Sequence, residues 1–128
     1  CGKDIREHYI NADRAKLKGV DVIFDFSRFP YPFKNDEFDE ILSFGVIELI
    51  DADFIKIMEE LYRITKKGGI IKIRSPCFPS VCSVQDPLTK HFMTWNTFEY
   101  FNEHWGHYTK ARFMTIKRKY IYSLNPKL

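Results

Sequence analysis

The stretch from Asp51 to Arg74 constrains this chain more than any other. Asp51-Ala52-Asp53 offers small acceptors that can cap the free N–H groups of a helix and complement its positive end. Behind it Phe54, Ile57, Met58, Leu61, Tyr62 and Ile64 recur at three- and four-residue spacing, which draws one apolar stripe along a helix. Lys66 and Lys67 then supply cations at the negative end, and Gly68 and Gly69 can adopt left-handed geometry. Ile70-Ile71-Lys72-Ile73-Arg74 follows at once as a strand, halted by Pro76. A helix handed directly to a strand is half of a crossover unit, so the chain is expected to be α/β.

The upstream signals agree. Tyr9-Ile10-Asn11-Ala12 is a short apolar run ending at Asp13, and Val20-Asp21-Val22-Ile23-Phe24 ends at Asp25. Arg28 to Phe33 holds two prolines and reads as an extended aromatic loop, Asn35-Asp36 as a turn, and Phe38 to Phe44 as a further strand. Strands joined by helix or loop crossovers imply a mostly parallel sheet with right-handed connections. Ser75–Thr94 is a long loop with three prolines and two cysteines, the kind that tends to be functional. Thr94 or Asn96 could cap a helix running through Phe98, Tyr100 and Phe101. Ala111–Ile116 and Tyr120–Leu124, flanking Lys117-Arg118-Lys119, suggest an antiparallel C-terminal hairpin. With 128 residues, 1–128 is expected to form one domain.

Composition narrows the class. Hydrophobic residues at 45% and charged residues at 29% suit a core-forming domain and exclude a disordered one. No run approaches the roughly 18 apolar residues of a membrane span, so none is expected. Three cysteines argue against a disulfide scaffold and for a reducing, cytoplasmic setting. Cys77 and Cys82, with His91, His104 and His107, invite a metal reading, but four residues separate the cysteines where zinc sites favour tighter pairs, so no metal is expected. Charge is lopsided: residues 1–103 hold 14 Lys/Arg against 17 Asp/Glu, and residues 104–128 hold six Lys/Arg and no acid. The basic end reads first as a solvated strand edge and second as a hint of an anionic acceptor; the overall balance of +3 falls short of a nucleic-acid binder.

In open parallel sheets ligands bind beyond the carboxyl ends of the strands, where Asp13 and Asp25 both fall. An ionised carboxylate offers only acceptors, which suits Asp13 to two vicinal ribose hydroxyls and Asp25 to an exocyclic adenine amine. Each could equally be a turn residue. Two at successive strand ends favour function.

Cys1-Gly2-Lys3, Tyr9 to Asp13, Asp25-Phe26 and Phe29 to Phe33, in that order and spacing, resemble the class I S-adenosylmethionine-dependent methyltransferases, in particular the broad group acting on small molecules and on glycan or natural-product intermediates. Phe38-Asp39-Glu40-Ile41 through Val46-Ile47-Glu48 is similar to that group's fourth strand and the turn after it. Glu60 to Ile64 with Lys66, Gly68 and Gly69 is similar to its next helix and glycine turn, and His91-Phe92 with Thr97 to Phe101 to a segment near its acceptor pocket. The likeness spans Cys1 to about Phe101. It implies a three-layer Rossmann-like fold and S-adenosylmethionine as cofactor. Gly2 would end the glycine loop facing the methionine part, Asp13 would bind the ribose, Asp25 and Phe26 would bracket the adenine, and Phe44-Gly45 would line the sulfonium. Glu48 matches an acidic position at the pocket mouth.

That fold's first strand, which lies between the strand ending at Asp13 and the strand ending at Phe44, has no counterpart in residues 1–128. Its loss would leave backbone groups unpaired at about 1–3 kcal/mol each if buried, so upstream residues or another chain are expected to fill the slot. A homodimer is compatible with this. If the acceptor is a hydroxyl or a protonated amine a base is needed, and His91, Glu48 and Asp86 are candidates, with His91 and Glu48 preferred. Trp95, Tyr100, Phe101 and Trp105 could form an acceptor pocket or simply core. Tyr31 and Phe33 could cover the adenine or pack. Two other classes remain: a non-catalytic scaffold or partner subunit with this fold, and a nicotinamide-dependent oxidoreductase. The second would need a full G-x-G-x-x-G turn, which is not visible.

Overall fold

The computed structural model describes residues 2–122. Cys1 and residues 123–128 lie outside the described residues. Among the described residues there are four strands and one α-helix: β1 (Ala12–Asp13), β2 (Val22–Ile23), β3 (Phe38–Phe44), α1 (Phe54–Ile64) and β4 (Thr65–Arg74). Short 3-10 turns cover Ile47–Leu49, Val81–Ser83, Thr97–Phe101 and Glu103–Trp105. The chain folds as Rossmann-like α/β, and every strand pairing is parallel. β1 pairs with β2, Ala12 opposite Val22 and Asp13 opposite Ile23. β3 pairs with β4, from Glu40 opposite Ile70 to Phe44 opposite Arg74. The pairs form two separate two-stranded sheets.

α1 forms where the stripe requires it. Asp53 Oδ1 accepts from Ile55 N at 2.8 Å and Lys56 N at 3.3 Å, satisfying two of the donors that every helix start leaves open. The stripe then buries Ile57, Met58, Leu61 and Ile64, with Ile41, Ile71 and Ile73 of the β3–β4 sheet packed against this core. Each such side chain contributes about 1.5–3 kcal/mol on full burial, so α1 is held mainly by this face.

The end of α1 differs from expectation. The Lys66–Gly69 stretch is a bulge inside a longer β4: Phe38 faces Thr65, yet Glu40 already faces Ile70. Gly68 takes φ +80°, and a Cβ on Gly69 would lie 3.0 Å from Asp39 O and 2.6 Å from Thr65 Cγ2. The two glycines therefore serve the bulge, one by conformation and one by close approach of β3.

At the other end, the described part of the expected hairpin, residues 111–122, forms no strand; Ser123 and Leu124 of its second arm lie outside the described residues. This segment runs back along Trp95–Phe101 instead. Phe113 N donates to Phe101 O at 2.9 Å, Thr115 Oγ1 to Glu99 at 3.1 Å and Arg118 to Trp95 O at 2.9 Å, while Tyr120 lies 4.6 Å from the Trp95 ring. Contacts with that aromatic stretch, available only in three dimensions, replace a turn that Lys117-Arg118-Lys119 is poorly suited to make. The helix expected through Phe98 to Phe101 is a 3-10 turn, and Asn96 makes no side-chain cap. No helix among the described residues is long and apolar enough to cross a membrane.

Candidate functional site

β1 is only two residues long, and side-chain amide chemistry fixes it. The buried Asn11 accepts from Arg6 N at 2.9 Å and donates through Nδ2 to the carbonyls of Arg6 and Tyr9, both at 3.0 Å. Its backbone N–H reaches Asp21 Oδ2 at 2.7 Å, and its carbonyl accepts from Asp21 N and Val22 N. Phe24 N then donates to Asp13 O at 3.1 Å, so the pairing carries one residue past β2, to Phe24, and Asp25 follows directly. Asp13 and Asp25 therefore stand at the carboxyl ends of neighbouring parallel strands.

Their surroundings differ. Asp13 is partly buried, accepting from Gly2 N at 2.7 Å and Ala15 N at 2.9 Å. Burial opposes its charge, but the Ala15 and Gly2 N–H groups outweigh it and hold the carboxyl below its ordinary value. Asp25 is exposed, and the Ser27 hydroxyl, the Ser27 N–H and Arg28 lower its pKa. It makes a local turn with Ser27, and its partner Arg28 is 87% exposed at the side chain. Its contacts are those of a turn residue at a strand end.

The other sequence candidates are dispersed around this end. Phe26 packs inward, 4.3 Å from Phe24 and edge-on to Tyr31, whose hydroxyl donates to Phe26 O at 2.9 Å. Tyr31 is itself buried, which pushes its phenol pKa up, and both it and Phe33 pack on Phe24. Phe44 has the guanidinium of Arg74 4.7 Å from its ring centre and that of Arg6 at 5.3 Å. Gly45, at φ +67°, turns the chain out of β3 while its N–H donates to Arg74 O at 2.8 Å. A Cβ there would meet only Glu48 Oε1, at 3.9 Å, so the space before Gly45 is open.

Glu48 lies in the 3-10 turn that follows and is 5% exposed. Its Oε2 and the Oγ of Ser75 are buried with no hydrogen-bond partner among the described residues. Its carbonyl accepts from Lys90 N at 2.8 Å and His91 N at 3.0 Å, so the long loop straps back onto this turn. His91 Nε2 lies 2.9 Å from Ile50 O, and since a carbonyl only accepts, Nε2 carries the proton. The His91 ring rests 5.1 Å from that of Phe54. Asp86 caps a local turn through Leu88 N at 2.8 Å. Of the aromatics expected near an acceptor, Phe101 is core, while Tyr100 and Trp105 pair at 5.0 Å on the surface.

Between the two sheets runs a cleft of about 200 Å³. Ile10, Asn11 and Ala12 form one wall, Glu40 to Phe44 the other, and Phe24, Phe33 and Ile57 are among the apolar residues beneath. Tyr9 donates to Glu40 across it, and Lys72 pairs with the same carboxylate. Phe26 and Phe44 reach this cleft; Gly2, Asp13, Asp25, Gly45, Glu48 and His91 lie outside its lining.

Sequence reasoning missed Asn11, Arg63 and Ser75. Arg63 and Glu60 on α1 clamp the aromatic loop after Asp25: Glu60 accepts from Tyr31 N at 2.7 Å, and Arg63 donates to Phe33 O at 2.8 Å and Tyr31 O at 3.1 Å. The one signal for it was a Glu–Arg pair at i, i+3, which reads as an ordinary surface pair.

Parallel strands with a helix crossover and a sharp glycine turn after β3 define an α/β domain that carries acids at adjacent carboxyl ends. A protein-family model described as a methyltransferase domain matches residues 1–73, more than half of the 128. The chain belongs to that family, within the class I S-adenosylmethionine-dependent methyltransferases. No curated protein matches the chain, and no solved structure does. The family generally uses S-adenosylmethionine. The residues present fit such a group: an Asp13 carboxylate held below its ordinary pKa beside the Gly2 N–H, and open space at Gly45.

Proposed function

We propose that this chain carries out S-adenosylmethionine-dependent methyl transfer to a small-molecule acceptor, a glycan or lipid intermediate being the favoured class. The parallel pairing of β1 with β2 carries the reading, because it puts Asp13 and Asp25 at adjacent carboxyl ends. Asp13 accepts from the ribose hydroxyls. Asp25, freed from the exposed Arg28, takes the adenine amine, with the Phe26 segment as its border. Gly2 faces the methionine part, and Phe44 and Gly45 line the sulfonium. S-Adenosylmethionine supplies a transferable methyl and its leaving group; the chain's residues orient the partners and exclude water. Glu48 is directed at the acceptor, and His91, its Nε2 engaged by Ile50, serves by fastening the strap.

The cleft walled by β1 and β3 supports a further element of the reading. In the complete single domain, with its three layers, an extended strand from polypeptide outside these residues runs between β1 and β3, supplied upstream or by a second chain. The low cysteine count supports a cytoplasmic setting.

Calorimetric titration with S-adenosylmethionine, S-adenosylhomocysteine and NAD tests the proposal. We expect both sulfur ligands to bind and NAD not to, with Asp13→Asn weakening both by about tenfold, since hydrogen bonds to charged groups are worth roughly 1.5–3 kcal/mol. Absence of binding by either sulfur ligand, or an unchanged affinity in Asp13→Asn, refutes it.

A further inference from the structure

Glu48 Oε2 is buried with no hydrogen-bond partner among the described residues. A carboxylate oxygen buried without a donor loses its hydration and gains nothing in return. Ser75 repeats the problem one strand over. β3 and β4 run in register to Phe44 opposite Arg74, so Gly45 and Ser75 leave the sheet side by side, and Glu48 lies three residues past Gly45. The two side-chain oxygens without a partner among the described residues thus belong to segments that leave adjacent strands at their carboxyl ends, where ligands of such sheets bind. Neither is used by the backbone: the strap engages Glu48 only through its carbonyl.

The pair specifies a chemistry. An ionised carboxylate only accepts, and a serine hydroxyl can accept as well as donate. Their shared complement is a group rich in N–H donors and preferably cationic. We infer that Glu48 and Ser75 form the acceptor subsite and that it takes a substrate bearing a protonated amine. This rests on the methyl-transfer reading and sharpens it.

The basic end of the chain points the other way, towards an anion, and the two effects are unequal. Lys117 and Lys119 are exposed and screened by solvent, whereas Glu48 is 5% exposed. A surface charge steers weakly, and a buried one without a partner dominates whatever binds beside it. The amine is therefore the selecting feature.

The same N–H chemistry could come from the cofactor's own α-ammonium, so the test separates the two. NMR titrations of butylamine, butanol and butyrate into protein saturated with S-adenosylhomocysteine should rank butylamine tightest. Glu48→Gln should weaken butylamine by about tenfold and Ser75→Ala by a few-fold, with S-adenosylhomocysteine affinity within about twofold in both. If Glu48→Gln does not fold, the Ser75→Ala series and the ranking of the three probes decide alone. Butyrate binding as tightly as butylamine overturns the inference, as does loss of S-adenosylhomocysteine affinity in Glu48→Gln with butylamine unaffected, which would give Glu48 to the cofactor. Failure of S-adenosylhomocysteine to bind the unmodified protein counts instead against the methyl-transfer reading.

Discussion

Replacing Arg63 by methionine should cost far more than losing a surface ion pair. The guanidinium makes five hydrogen bonds: Nε to Glu60 Oε1 at 2.8 Å, one terminal nitrogen to Glu60 Oε2 at 2.7 Å and Tyr31 O at 3.1 Å, and the other to Phe33 O at 2.8 Å and Asn35 Oδ1 at 2.9 Å. The side chains of Arg63 and Glu60 are 26% and 13% exposed, so water can replace only part of this. Breaking a fully buried pair costs about 3–5 kcal/mol and an exposed one less than about 1. An intermediate loss of about 2–3 kcal/mol follows. Methionine keeps the stem's volume, so the loss reports the polar head and not a cavity. For a chain this size that is a fall in melting temperature of roughly 6–15 °C, read by circular dichroism. A double-mutant cycle with Glu60→Gln should return a coupling of at least about 1 kcal/mol. Hydrogen exchange should rise at Tyr31 and Phe33, whose loop follows Asp25 and carries part of the aromatic cluster. A loss under about 1 kcal/mol, with exchange unchanged, would show that aromatic packing alone holds the loop.

Three further outcomes are expected. Glu60's carboxyl lies below its ordinary value, chiefly through its bond from Arg63, so its contribution to stability is full above the unfolded value near 4.5 and is lost as pH falls through the lower folded value. Chemical denaturation from pH 6 down to pH 3 should therefore show a steeper loss in the natural protein than in Glu60→Gln; parallel curves would refute this. Gly69→Ala should destabilise by about 1–3 kcal/mol, because its Cβ meets Asp39 O and Lys66 O, and backbone cannot step aside. Gly68→Ala, with nothing within 4 Å but φ at +80°, should cost about 1 kcal/mol. Equal melting temperatures for Gly69→Ala and the parent would contradict the close approach of β3.

What was legible in the sequence was local or periodic. Asp53 as cap and the stripe from Phe54 to Ile64 involve residues no more than four apart, so spacing alone reveals them. Asp13 and Asp25 were legible as strand ends because each closes an apolar run. The Lys66–Gly69 stretch was legible as an interruption but not as a bulge, since that depends on β3 lying alongside.

The sequence by itself determined an α/β chain, where its helix starts, which face that helix buries, and that Asp13 and Asp25 fall at or just past the ends of its first two strands. Those follow from propensity and period, which act between near neighbours. Only the tertiary structure decided that Asn11 ties Arg6 to Asp21, that Arg63 reaches residues 28 to 32 positions away, and that the basic end folds back along Trp95–Phe101. It alone also decided that Glu48 and Ser75 keep buried oxygens without donors among the described residues. Burial and hydrogen-bond satisfaction are sums over everything that surrounds a group in space, and chain order does not carry that sum.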